Sequence, residues 1–76
     1  MWIEENNKLY KKFVFKDFVA AFSFMTSVAI LAEKADHHPT FANTYNVVEI
    51  WLTTHDKGNT ITAKDKALAE KIDKIV

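Results

Sequence analysis

At 76 residues the chain is one domain near the lower limit of independent folding, and with no cysteine it has neither disulfides nor a thiolate metal site to staple it. Ten lysines balance ten acidic residues and arginine is absent, which removes the electrostatic footprint for direct nucleic-acid binding. No apolar run approaches the ~18 residues of a membrane span. The start, MWIEENNK, is acidic and unlike a signal peptide, so the expectation is a cytoplasmic domain that gains stability by self-association.

Trp2–Glu5 and Leu9–Phe15 read as two short strands joined by a hairpin turn at ENNK, because asparagine tolerates positive φ. In the second strand Leu9, Phe13 and Phe15 share one face, while Tyr10, Lys12 and Val14 share the other. From Lys16 the period becomes helical. Phe18, Phe22, Met25, Ala29 and Ala32 form one apolar stripe, with Phe24, Val28 and Leu31 in a second beside it. A helix this apolar needs two partners, its own sheet and another subunit. It should end near Ala35, ahead of the His-His-Pro turn.

Phe41–Asn43 reads as a short strand. Tyr45–Thr54 then alternates, with Val48, Ile50 and Leu52 on one face and Val47, Glu49 and Trp51 on the other. Trp51 and Glu49 mark either a subunit interface or an exposed sheet face, and Trp2 covers the sheet edge. HDKGNTIT is a loop holding the only glycine. Thr62 followed by Asp65 is a capping-box start for a last helix with Leu68, Ile72 and Ile75 as its buried stripe. The lysines of KDKALAEKIDK read as a solvated helix face. The order β-β-α-β-β-α predicts an α+β fold, a four-stranded antiparallel sheet with two helices packed on one face, in a single domain over residues 1–76.

All three histidines fall in one stretch, EKADHHPTFANTYNVVEIWLTTHD. His37 and His38 follow a long helix, and Pro39 restricts the backbone at His38. His55 closes a strand that a fold can return to the same end of the sheet. Imidazoles, with a reference pKa of about 6.5, both give and take protons near neutrality. Glu33 stands one helical turn before His37, where it can orient or charge-stabilise an imidazole. Three readings of the residues are open. They are surface histidines in a turn and at a strand end, a proton-transfer set, or a three-histidine metal site. Adjacent histidines diverge and no helical His-x-x-x-His is present, which weighs against the metal.

The spacing Glu33, three residues, His37-His38-Pro39, five residues, Tyr45, nine residues, His55, nine residues, Asp65 resembles the pterin-4a-carbinolamine dehydratase family, some of whose members double as dimerisation cofactors of a transcription factor. The flanks FVFKDFVAAFSFMTSVAILAEKADHHP and LTTHDKGNTITAKDKALAEKID resemble the family's lead-in and exit, so the likeness covers nearly the whole chain. Family members usually carry a further N-terminal helix, and this chain begins at about the first strand. The loop between His55 and Asp65 is a residue longer than in the vertebrate members. Phe41 stands where a tryptophan is common and should keep an aromatic wall near the site.

The resemblance implies a hydro-lyase that removes the 4a-hydroxyl of a hydroxytetrahydropterin as water, recycling the cofactor of aromatic amino-acid hydroxylases. It needs no metal or other cofactor, because the pterin is the substrate. By the same resemblance His37 and His55 are the proton-transferring pair, His38 mainly binds and orients the pterin while sharing the proton work, and Glu33 holds His37 in its working tautomer, which makes all four the implied catalytic set. The resemblance also implies that Pro39 contacts the pterin and that the backbone around Thr54, His55, Asp56 and Lys57 hydrogen-bonds its amide-like edge. Asp65 matches the last motif position and is either a supporting residue or an ordinary helix cap. The implied assembly is a homodimer or homotetramer. The alternative is a non-catalytic protein-binding cofactor of the same fold; retention of every histidine and of Glu33 favours the enzyme, since a binding module needs no acid–base set.

Overall fold

The computed structural model describes residues 1–76. Strands β1 (Ile3–Glu5) and β2 (Lys8–Val14) precede helix α1 (Phe18–Ala35), strands β3 (Thr40–Thr44) and β4 (Val47–Leu52) follow, and a short 3-10 turn (His55–Lys57) leads into helix α2 (Ala63–Lys74). The sheet is antiparallel throughout, in the order β1-β2-β4-β3. It is the four-stranded α+β architecture that the element order predicts.

Both hairpins turn on residues that accept a left-handed backbone. Asn6 and Asn7, at φ of 51° and 62°, close β1 on β2 in a two-residue turn with the twist such hairpins require. The β3–β4 hairpin turns on Tyr45 and Asn46, so β4 begins at Val47 rather than at the Tyr45 expected from the alternation. Tyr45 takes φ of 50°, and the Asn43 amide donates to the carbonyls of Tyr45 and Val47, holding the turn.

The period-2 pattern of β4 places Val48, Ile50 and Leu52 on one face, each fully buried. Leu9 and Phe13 of β2 join them through the register Leu9↔Leu52 and Phe13↔Val48. The core closes with Ala21, Phe24, Val28 and Ala32 of α1 and with Leu68, Ala69 and Ile72 of α2. Phe24 lies 4.7 Å from Phe13 and 4.9 Å from Phe15, ring centroid to centroid. Burying one such side chain contributes about 1.5–3 kcal/mol, so the core carries most of the stability of a chain this short.

Several sequence expectations are corrected here. The α1 stripe that faces the core is the Phe24–Val28 one. Phe18 and Phe22 of the other stripe stand out in solvent, 47% and 53% exposed. Ile75 caps the C-terminus of α2 and is exposed, and Ala69 takes the buried place beside Ile72. Trp2 lies over the core rather than along the sheet edge: its indole packs edge-on against Phe13 and donates to Asp73 of α2 at 3.0 Å. Lys11 donates to the same carboxylate at 2.9 Å, tying β1 and β2 to the end of α2. By length and composition alone α1 passes for a membrane span, with mean hydropathy 1.5 over 18 residues, contrary to the expectation that no apolar run approaches that length. In this fold four of its residues, Ala21, Phe24, Val28 and Ala32, pack into the core.

The opposite sheet face is covered by no element of the chain. There Tyr10 donates to Glu49 at 2.6 Å, and its ring lies 5.3 Å from that of Trp51. The hydrogen bond to Glu49 holds the Tyr10 phenol above its ordinary pKa.

Candidate active site

Antiparallel pairing of β3 with β4 decides where the histidines meet. The register Thr40↔Trp51 sets the residues just before β3 beside those just after β4. His37, His38 and Pro39 enter one end of the sheet as Thr53, Thr54 and His55 leave it.

Each approach is held locally. Helix α1 ends in a Schellman motif: Asp36 takes φ of 50°, its N–H donates to Glu33, and the His37 N–H reaches back to the Ala32 carbonyl at 3.1 Å. That turn swings His37 off the helix face. Thr53 donates to the Asn7 carbonyl at 3.1 Å, pinning the exit of β4 to the first hairpin. Thr54 pairs through its backbone N–H with the Thr60 carbonyl at 2.9 Å, closing the loop that carries His55. The loop then delivers Thr62 and Asp65 as the two halves of the capping box of α2.

Asp65 is the hub. It is completely buried, and its Oδ1 lies 2.5 Å from His37 Nε2. Its Oδ2 accepts from the Thr54 hydroxyl at 2.7 Å and from the Thr62 backbone N–H at 2.8 Å. Burial pushes this carboxyl up, but the hydrogen bonds from His37, Thr62 and Thr54, together with the nearby His37 charge, outweigh it and hold the group below the ordinary carboxylate range. A carboxylate accepts only, so Nε2 of His37 carries its proton toward Asp65. The other ring nitrogen, Nδ1, has no protein partner, and no buried side-chain nitrogen or oxygen in the chain lacks one, so Nδ1 is left open.

The other two imidazoles are held on the surface. His38 Nε2 lies 2.9 Å from Glu33 Oε1, in a pair whose side chains are 58% and 82% exposed. His55 Nδ1 lies 2.8 Å from Asn59 Oδ1. Between them opens a pocket of about 420 Å³, lined by Asp36, His37, His38, Pro39, Thr40, His55, Asp56 and Lys64. Apart from Pro39 the wall is polar. It suits a small ring with hydrogen-bonding edges, and its volume is in the usual range of roughly 300–1,000 Å³ for ligand pockets. No three His, Asp or Glu side chains converge on a point where a metal ion could be held. A second cavity, about 390 Å³, lies on the outer face of α1 against Phe18, Val19, Phe22, Ser23 and Thr26 and holds no titratable group.

The structure redistributes several expected parts. The carboxylate on His37 is Asp65, and Glu33 turns to His38 instead, because the left-handed residue Asp36 breaks the helical spacing between Glu33 and His37. Asp65 is at once a helix cap and the support of an imidazole. Thr54 is buried, with its hydroxyl bonded to Asp65 and Thr62 and its N–H to Thr60, so it positions the site and offers the pocket no donor. Lys57 lies outside the lining, and Lys64 at the start of α2 supplies the pocket's cation. Phe41 pairs with Ile50 on the core face and does not wall the pocket. Asp36, Thr40, Asn59 and Lys64 had no part in the expected site. Lys64 stands directly before the motif aspartate, the one signal that points to it.

The chain is similar to known proteins in sequence and in fold. Residues 1–75 match the sequence profile described as Pterin 4 alpha carbinolamine dehydratase. A protein of Prochlorococcus marinus (strain NATL2A), provisionally named a pterin-4-alpha-carbinolamine dehydratase, is 55% identical over 75 residues, 99% of this chain and 78% of the relative. The crystal structure of a transcriptional coactivator/pterin dehydratase from Brucella melitensis superposes with a TM-score of 0.91 at 41% identity, over 97% of this chain and 80% of that one. A pterin dehydratase-like protein identified as a RuBisCO assembly factor in the alpha-carboxysome shares the fold, with a TM-score of 0.76 at 23% identity over 96% of this chain and 83% of that one.

Proposed function

The chain belongs to the pterin-4a-carbinolamine dehydratase family, and from that premise we propose that it dehydrates 4a-hydroxytetrahydropterins to quinonoid dihydropterins. The observation that carries this reading is the polar pocket edged by His37, His38 and His55, with one of them seated on a buried carboxylate.

The reaction breaks the bond between carbon 4a and its hydroxyl oxygen. The hydroxyl takes a proton and leaves as water. The lone pair of nitrogen 5 forms the new double bond to carbon 4a, and nitrogen 5 then gives up its own proton to a base. Proton transfer accounts for every step without a metal or redox partner. Positioned acid–base groups contribute typically ~10²–10⁴-fold.

His37 suits the general acid. Asp65 stabilises its imidazolium and fixes Nε2–H, which leaves Nδ1 to protonate a hydroxyl on the near ring face. His55, which lines the same pocket, serves a hydroxyl on the other face. His38, exposed and paired with Glu33, binds and orients the pterin, with Pro39, Asp56 and Lys64 completing the wall. Asp65 and Thr54 are positioning residues.

The protein is taken to act in the cytoplasm as a homodimer or homotetramer, with the outward Phe18 and Phe22 face of α1 as the surface that a second copy covers. That same apolar face supports the second reading, a protein-binding cofactor of this fold. Following 4a-hydroxytetrahydropterin decay with purified protein separates the two. A rate above the uncatalysed one supports the enzyme, and no acceleration supports the binding module.

A further inference from the structure

The loop after β4 holds a residue to which neither the family motif nor the reaction as drawn gives a part. Asn59 lies four residues beyond His55, and its Oδ1 is 2.8 Å from His55 Nδ1. The loop is built to place it. The 3-10 turn His55–Lys57 ends at Gly58 with φ of 75°, whose N–H closes on the His55 carbonyl at 3.2 Å. Asn59 then takes φ of 57°, a conformation asparagine tolerates, and the Thr54–Thr60 pairing fixes the return of the chain. Two successive left-handed residues turn the Asn59 side chain back over the imidazole.

From this geometry we infer that Asn59 is a positioning residue that fixes the tautomer of His55. The amide oxygen accepts from Nδ1–H. Nε2 is thereby the unprotonated nitrogen of the neutral ring, in a residue that lines the pocket. Free histidine favours the opposite tautomer, with the proton on Nε2, so the contact selects a form that solvent alone would not. It also gives His55 a different support from its neighbours, a neutral amide where His37 and His38 have carboxylates. The consequence for turnover rests on the dehydratase reading; the tautomer itself does not.

The test uses the full chain labelled with ¹⁵N at histidine. Ring-nitrogen shifts of His55 are recorded above its titration, in wild type and in Asn59→Gly and Asn59→Asp. Glycine removes the side chain and keeps the positive φ without strain, and aspartate can only accept. The wild type should show the Nδ1–H form, glycine should return the ring toward Nε2–H, and aspartate should retain Nδ1–H. In dehydration assays kcat of the glycine variant should fall about 2–10-fold, the size of one neutral hydrogen bond, with KM little changed and aspartate restoring it. A wild-type His55 in the Nε2–H form, or a glycine variant with unaltered ring shifts, overturns the inference while leaving the dehydratase reading intact. A wild type that shows the Nδ1–H form but turns over no 4a-hydroxypterin refutes the dehydratase reading and upholds the tautomer.

Discussion

His37 and Asp65, 28 residues apart in sequence, meet through a 2.5 Å contact between Nε2 and Oδ1 in which the carboxylate is sealed from solvent. The same aspartate caps helix α2 and accepts from Thr54, so the support of the imidazole and the start of the helix are one structure.

Asp65→Asn should therefore damage chemistry and fold together. An amide in that place turns one acceptor into a donor, so that either His37 must present an unprotonated Nε2 or the Thr54 and Thr62 donors lose their acceptor, the latter a loss of about 1–3 kcal/mol on urea unfolding. Turnover of the pterin stereoisomer served by His37 should drop roughly 10²-fold or more, with the other isomer much less affected. Equal losses on both isomers would mean that Asp65 acts only through global structure.

Acid should weaken the fold through the same group. The Asp65 carboxyl titrates lower in the folded chain than in the unfolded one, so in the intervening window the unfolded state binds more protons. Its contribution is fully present above the ordinary aspartate value of about 3.9 and is lost as pH falls through the lowered folded value. Urea midpoints should decline across that window in wild type and decline less in Asp65→Asn. Parallel declines would contradict the assignment.

Glu33 and His38 should behave as a binding pair. Both are exposed, so Glu33→Gln should change stability by less than about 1 kcal/mol. His38→Ala should raise KM while kcat changes little, since the loss is of uniform binding. A large fall in kcat with unchanged KM would move His38 into the proton-transfer pair.

The exposed apolar face of α1 should bring copies of the chain together. Phe18, Val19, Phe22 and Ile30 stand 47%, 71%, 53% and 56% exposed, an apolar patch that monomeric chains rarely present. Sedimentation at micromolar concentration should give a dimer or tetramer, and Phe22→Lys should shift it to smaller species. A wild-type monomer would refute the proposal.

The strands were legible because their cues are local. Alternation in β4 names Val48, Ile50 and Leu52 as core, and the paired asparagines name the first turn. Helix α1 was legible as a helix but not in its orientation, because apolar residues surround it and only packing on the sheet, where Phe24 meets Phe13 and Phe15, selects Phe24 over Phe22. At the site, the motif spacing drew attention to the histidines and Asp65. The pairing of carboxylates to imidazoles stayed hidden, because one left-handed residue at Asp36 turns His37 away from Glu33. The amide on His55 was equally out of reach, since it depends on the backbone of Gly58 and Asn59 in a loop with no periodicity.

The central claim, that His37 and His55 act as general acids on opposite faces of the pterin ring, is tested most directly by following the dehydration of each 4a-hydroxytetrahydropterin stereoisomer separately. The enzymes compared are wild type, His37→Ala, His55→Ala and the double variant, with a strong chelator present throughout. The account predicts full wild-type activity under chelation, each single variant slow chiefly on one isomer, and a double variant that loses far more than either. Single variants that slow both isomers equally would contradict the two-face assignment. A wild type silenced by the chelator and restored by zinc would contradict proton transfer as the whole of the chemistry.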